Sequence, residues 1–325
     1  GASGRNGGGC THPMSPLFDE EQRLWPLMDD LLGYPTEHCG ERVRMALDET
    51  QLTWMRRMRD TAAQRGYRSE ELDAAQLREL VPLAGDNVIG GFHSSHGGHA
   101  NPHRTIQGYA WAIQDLGGRV LQHTRVTGFD VSGGRVKSVE TTRGDIDCTR
   151  VVVAAGTMTG DLSAKLGHEV PVAPARAEMI VTEPLPAMSI GGVDGNGLYG
   201  RQTLRGNLAY GGGPHEWFDV EDMGGQRPHA TPLSRSIAKR VAELFPKAAH
   251  ARVIRSWAGF IENTPDGRPV IDFLPGIENA IVATMSSVGF GLSPASGHAI
   301  QQLVTDGRCD FADLSSFQLS RFDGL

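Results

Sequence analysis

Of the chain's 325 residues 42 are glycine, near twice the roughly 7% usual in globular proteins, while charged residues make up 21% and aromatics 6%. No apolar run approaches the ~18 residues of a membrane span, and the hydrophobic content of 39% excludes a disordered or fibrous chain. With 31 basic against 38 acidic residues the net charge is −7, which argues against nucleic acid as the main partner.

Leu24, Leu27, Met28, Leu31 and Leu32 recur at helical spacing and predict a first helix over about 19–32. A second, over about 37–65, carries Val43, Leu47, Met55 and Met58, with Arg56, Arg57 and Arg59 on its solvated face. A third spans Leu72 to Val81, so this stretch reads as helical, without strands. Met14 and Met28 are ordinary core candidates. Gly90-Gly91 opens a turn-rich segment that ends in Asn101-Pro102, an N-cap followed by a first helical residue. The next helix is expected to bury Ile106, Ala110, Ile113 and Leu116 and to stop at Gly117-Gly118.

Strands follow at Arg119–His123 and Val126–Val131, and Gly133-Gly134 turns the latter into Arg135–Thr142 as a two-residue hairpin. Val151–Ala155 is apolar without alternation and predicts a strand buried on both faces, leading to a short helix near Asp161–Leu166. Val170 to Gly213 alternates strands and turns, and Leu233, Ile237, Val241 and Leu244 then mark one face of a helix. The last third predicts strands at Arg252–Trp257, Pro269–Asp272 and Ala280–Thr284, then a helix from Pro294 to about Thr305 closed by Gly307. This order predicts an α/β protein whose domains are interleaved rather than sequential.

Cys10, Cys39, Cys148 and Cys309 lack the close spacing of a zinc or redox motif. Four are too few for a disulfide scaffold of this length, so a reducing compartment is expected. That means the cytoplasm, with peripheral attachment to the inner face of the membrane as the alternative. The chain opens Gly1-Ala2-Ser3 with no methionine and is expected to start inside a longer polypeptide.

Two segments suit an anion. Met285 to Pro294 joins a buried strand through glycines to a helix N-terminus, where unpaired N–H groups and the helix dipole favour negative charge. Gly4 to Gly9 is a second loop fit to wrap a phosphate. The bland alternatives are a tight connection and a flexible terminus. Neither is a dinucleotide fingerprint, since no G-x-G-x-x-G falls between a strand and a helix. His93, His96, His99 and His103 have ligand-like spacing, but Gly97-Gly98 and Pro102 break any helix that would align them, and a loop at the mouth of a site is the preferred reading.

Taken in order, several segments resemble the D-amino-acid-oxidase-like family of FAD-dependent amine oxidoreductases, which includes glycine oxidase, sarcosine oxidases, D-amino-acid dehydrogenases and opine oxidase subunits. Ala2 to Gly8 is similar to the family loop beside the flavin, and Gly98 to Pro102 to the opening of its central helix. Tyr199 to Thr203 with Gly211-Gly212 resembles its substrate-domain strand pair. Trp257-Ala258-Gly259, Thr264 to Gly267 and Gly289 to Pro294 complete its C-terminal signature.

The resemblance implies a Rossmann-like three-layer FAD domain, N-terminally truncated, interleaved with a substrate domain on a mixed, largely antiparallel sheet. FAD-domain segments would be 1–34, 100–166 and 254–325, with 35–99 and 167–253 for the substrate domain. It implies FAD contacts at Arg5, Asn6, Gly7, Gly8, Val126, Ala155, Gly156, Gly259, Gly289, Phe290, Gly291, Leu292 and Ser293. Gly291 is expected at the flavin's pyrimidine edge, where glycine permits a positive φ and close approach.

The implied reaction is hydride transfer from the carbon of an amine or amino-acid C–N bond to the flavin, with Arg201 holding a substrate carboxylate and Tyr199 helping. Arg255 is the alternative arginine, as a structural partner beneath the flavin. The expected partners are a small amine, an electron acceptor (O2, or a respiratory or partner-subunit acceptor) and a further subunit. Non-catalytic and 2-hydroxy-acid-oxidising chains are the rival readings.

Three departures stand out. The family's N-terminal strand–glycine loop–helix–strand unit of ~30 residues is not matched. Ile261 stands where glycine oxidase has a carboxylate-binding arginine, and Ser287-Val288 replaces the usual Gly-His of the flavin loop.

Overall fold

In a computed structural model, which describes residues 1–217 and 233–324, the chain is a mixed α/β protein built on one large and two small sheets. The elements run α1 (Phe18–Leu24), α2 (Met28–Leu32), β1 (Arg42–Ala46), α3 (Glu49–Gln64), β2 (Ser69–Asp73), α4 (Ala74–Leu80), β3 (Gly90–Ser94) and α5 (Pro102–Asp115). Then come β4 (Val126–Ser132), β5 (Arg135–Thr141), β6 (Ile146–Asp147), β7 (Val151–Val153), α6 (Thr159–Ala164), β8 (Ala173–Pro184), β9 (Val193–Gly195), β10 (Leu198–Gln202), β11 (Asn207–Gly212) and β12 (Glu216–Trp217). The chain closes with α7 (Leu233–Leu244), β13 (Val253–Asn263), β14 (Val270–Phe273), β15 (Ala280–Thr284) and α8 (Ser293–Asp306).

The large sheet has the order β12-β8-β11-β10-β9-β1-β3-β2, with β13 also on β8. Its pairs are antiparallel except β1 with β9. Side chains alternate across a strand. Val43, Met45, Ile180, Leu198 and Leu208 accordingly enter a core closed by Leu77 of α4 and by Ile237, Val241 and Leu244 of α7. Arg42, Tyr199 and Arg201 have the opposite parity, and that is the face on which the N-terminal loop lies.

The second body is three-layered. In the sheet β14-β15-β7, Val270, Ala280 and Val282 pack toward Val136 of β5, whereas Ile271 and Ile281 pack toward Ala295, Ala299 and Leu303 of α8. Asn279 ties the hairpin to this sheet, accepting from the Val136 N–H at 2.9 Å and donating to the Val136 and Thr149 carbonyls at 2.8 and 3.0 Å. Gly133 and Gly134 take φ of 60° and 70°, the left-handed geometry the two-residue hairpin requires.

Several elements differ from expectation. The stretch 37–81 is not purely helical. Arg42–Ala46 alternates buried Val43 and Met45 with Arg42 and Arg44, and the charges mask that period of two. Asp48 then caps α3, accepting from the Gln51 N–H, and Asp73 and Gln76 form a capping box on α4. Arg119–His123 forms no strand and pairs with none among the described residues.

Burial differs in places too. α5 turns Ile106 and Ile113 to the surface, with Leu116 89% exposed beyond its end, because it packs through small Thr105 and Gly108. A Cβ at Gly108 would already stand 3.3 Å from Leu32. β7 is an edge strand with Val152 37% exposed, not buried on both faces. Met28 is buried, but Met14 is 72% exposed.

Candidate active site

A cavity of about 320 Å³ lies between the N-terminal loop, the large sheet and the β15–α8 connection. Asn6 shapes the loop by accepting from the Gly8 N–H at 2.8 Å and donating to the Ser3 carbonyl at 2.7 Å. Arg5 donates to the Ala258 carbonyl at 3.0 Å, and the Trp257 indole donates to the Arg5 carbonyl at 3.0 Å. These contacts press the loop against β13, where Gly259 leaves room for it. The wall includes Arg5, Gly7, Gly8, Gly259, Phe290 and Gly291.

Gly7 and Gly8 are there for space. A Cβ at Gly7 would lie 2.8 Å from Tyr199, and one at Gly8 would lie 2.1 Å from the Ala100 carbonyl oxygen, with φ at +86° besides. Tyr199 of β10 lines the cavity, and burial pushes its phenol up to about 12, so it is a neutral donor. Arg201, two residues on, is buried and donates to the Gly7 carbonyl at 2.9 Å. It stands behind the loop and is not part of the cavity wall.

Arg42 is the buried arginine of the wall. It donates to the Gly98 carbonyl at 2.8 Å and faces Asp194 at 3.4 Å, while its buried Nε has no partner among the described residues. His215 also lines the cavity with a buried Nδ1 that has no partner among the described residues, and burial lowers its basicity. Ile261 gives the wall an apolar patch.

Gly291 does not adopt a positive φ; the left-handed positions are Ser286 and Ser287, at φ of 48° and 64°. Space is what Gly291 supplies, since a Cβ there would lie 2.2 Å from His12 and 2.6 Å from the Gly9 carbonyl oxygen. The N–H groups of Gly289, Phe290 and Gly291 have no backbone partner among the described residues. α8 begins with no side-chain cap among the described residues. Such a row of free donors at a helix N-terminus suits an anionic or carbonyl-rich ring edge.

The remaining expected residues lie elsewhere. Leu292 is wholly buried under α8, and Ser293 accepts from the Tyr109 hydroxyl at 3.3 Å. Val126 starts β4 on the hairpin sheet, and Ala155 and Gly156 follow β7; none of them lines the cavity. Arg255 is exposed on β13, against the Trp257 ring. Among the described residues no group of three or more His, Cys, Asp or Glu could hold a metal. His99 is buried and held down at about 3, by burial first and then by Arg201 and Arg42. The one G-x-G-x-x-G, Gly195 to Gly200, spans the turn between antiparallel β9 and β10 and precedes no helix.

Sequence reasoning missed Arg42 and His12. Arg42 is hidden in a segment that reads as helix. His12 follows the glycine run in a loop without periodicity, and only its contact with Gly291 reveals it.

A glycine-cradled cavity at a helix start, covered by a broad antiparallel sheet, is the architecture of a flavin-dependent oxidoreductase. Residues 1–303 match the DAO family, described as FAD dependent oxidoreductase, and the chain belongs to that family. It is 26% identical over 318 residues to the beta chain of sarcosine oxidase from Rhodobacter capsulatus, covering 95% of this chain and 75% of that one. It is 27% identical over 331 residues to an opine oxidase subunit of Rhizobium meliloti, covering 94% and 81%. Among solved structures, glycine oxidase from Geobacillus kaustophilus superposes with a TM-score of 0.88 at 21% identity, covering 100% of this chain and 90% of that one. L-proline dehydrogenase from P. horikoshii gives 0.85 at 22% identity, covering 95% and 83%.

The residues present fit the ring end of FAD: Phe290 and Gly291, whose N–H groups have no backbone partner among the described residues, and the Gly7–Gly8 cradle line one cavity, whereas Gly289 is not part of its wall. Among the described residues no G-x-G-x-x-G loop joins a strand to a helix to hold the pyrophosphate.

Proposed function

We propose that the protein oxidises the C–N bond of an amino acid or secondary amine of the D-amino acid, glycine, sarcosine or opine type. The observation that carries this reading is one cavity lined together by Phe290 and Gly291, whose N–H groups have no backbone partner among the described residues, the Gly7–Gly8 loop, Tyr199 and Arg42. FAD, when bound, supplies the two-electron acceptor for hydride. The chain does the rest. Arg42 and Tyr199 form the polar wall for a substrate carboxylate, Ile261 packs the carbon skeleton, and Arg201 holds the Gly7 carbonyl so that the loop keeps its shape. Segments 1–34, 100–166 and 254–325 form the flavin side in this reading, and 35–99 with 167–253 the substrate side.

The relatives named as subunits support assembly with a further chain that relays electrons; O2 is the alternative acceptor. The four cysteines are free, which supports a reducing compartment such as the cytoplasm, and no described helix is long and apolar enough to cross a membrane.

The test is anaerobic mixing of the flavin-loaded protein with glycine, sarcosine, D-amino acids and opine-type secondary amines. Loss of the flavin's double absorption band with one of these is expected. Bleaching by 2-hydroxy acids alone, or failure to bind flavin stoichiometrically, overturns the reading.

A further inference from the structure

A carboxylate with no solvent contact stands behind the cavity wall. Glu21 of α1 is fully buried, and both its oxygens are spent on one residue: Oε2 accepts the His12 backbone N–H at 3.1 Å, and Oε1 meets His12 Nδ1 at 2.7 Å. An acid so placed makes Nδ1 the protonated nitrogen and leaves Nε2 with its lone pair. The His12 ring lines the cavity, and its Cε1 would touch a Cβ at Gly291. Nε2 has no hydrogen-bond partner in the protein among the described residues, yet it is not one of the sealed, unsatisfied atoms. The imidazole is therefore clamped on one side and open on the other.

Resting on the amine-oxidising reading, we infer that His12, backed by Glu21, takes the proton from the substrate's ammonium nitrogen. At neutral pH an amino acid arrives as an ammonium, whose nitrogen has no lone pair to release hydride from the adjacent carbon. Transfer breaks the substrate N–H bond and forms Nε2–H. The Cα–H bond then breaks with its electron pair leaving as hydride to FAD, and the nitrogen lone pair closes the C=N bond. The proton leaves His12 for solvent afterwards. Glu21 stabilises the imidazolium that forms, the usual division between a base and its orienting acid. The other titratable groups around this space are Arg5, Arg42, Asp194, Tyr199 and His215.

His12→Asn separates this role from anchoring, because its amide can still donate to Glu21 from the Nδ1 position while the cavity nitrogen is removed. With flavin content and melting temperature retained, flavin reduction at neutral pH should slow by about 10²–10⁴-fold and rise about tenfold per pH unit as the free amine accumulates. His12→Gln is the second variant, and ¹⁵N NMR of the wild-type chain should show His12 as the Nδ1–H tautomer. An unchanged pH profile in either variant, loss of flavin by both, or an Nε2–H tautomer overturns the assignment. A wild-type flavin that no amine bleaches removes the functional reading itself, and the role of His12 with it.

Discussion

Trp25 donates its indole N–H to the Gly291 carbonyl at 2.7 Å, joining residues 266 apart in the chain. The indole is buried, stacks on His38 with ring centroids 5.5 Å apart, and lies 5.5 Å from Phe290. The first helical region thus holds the loop at the start of α8 in place. Trp25→Phe keeps most of the packing but strands a carbonyl, and should cost about 1–3 kcal/mol. Denaturant melts of the two proteins measure it; equal stability would detach this contact from the loop's support.

Gly291→Val tests the cavity from the other side. The new side chain would collide with His12 and the Gly9 carbonyl, while the core closed by α4 and α7 and the core on the hairpin side of β15 contain no residue of this loop. Flavin-to-protein ratio should fall sharply with the circular dichroism spectrum preserved. A variant with full flavin and normal turnover would remove the loop from the site.

Arg201→Met distinguishes a loop support from a substrate ligand. Because Arg201 donates to the Gly7 carbonyl, its loss should lower flavin content, and the remaining holoenzyme should keep its KM for the amine. A raised KM at full flavin content would return Arg201 to the substrate.

Asp266, which is not part of the cavity wall, supplies a pH test. Burial raises its carboxyl, but hydrogen bonds from Arg321, the Arg268 N–H and the Thr264 hydroxyl, with the Arg321 charge, outweigh this and hold it at about 2. A depressed carboxylate stabilises the fold above its ordinary value of 3.8, and that stabilisation is lost as pH falls toward about 2. Asp266→Asn should therefore be less stable at neutral pH, with the gap closing over this acid range. A gap independent of pH would show that the Asp266 charge is not responsible.

Much of the fold was legible in the sequence because it was written in local periods. Ala280–Thr284, the Gly133-Gly134 hairpin, the Asn101 cap, the apolar face of α7 and the Gly307 stop each depend on residues within one or two turns of each other. The order of such segments, with the glycine loops at both ends, was enough to indicate the family. What tertiary structure alone decided was which polar side chains reach the cavity. Tyr199 and Arg201 share a face of β10, yet one lines the space and the other lies behind a loop contributed by residues nearly two hundred positions away. Arg42 and His12 enter only because β1 and the N-terminal loop converge there. Strand parity sets the face on which a side chain lies, and long-range packing then decides whether that face meets solvent, backbone or a cavity.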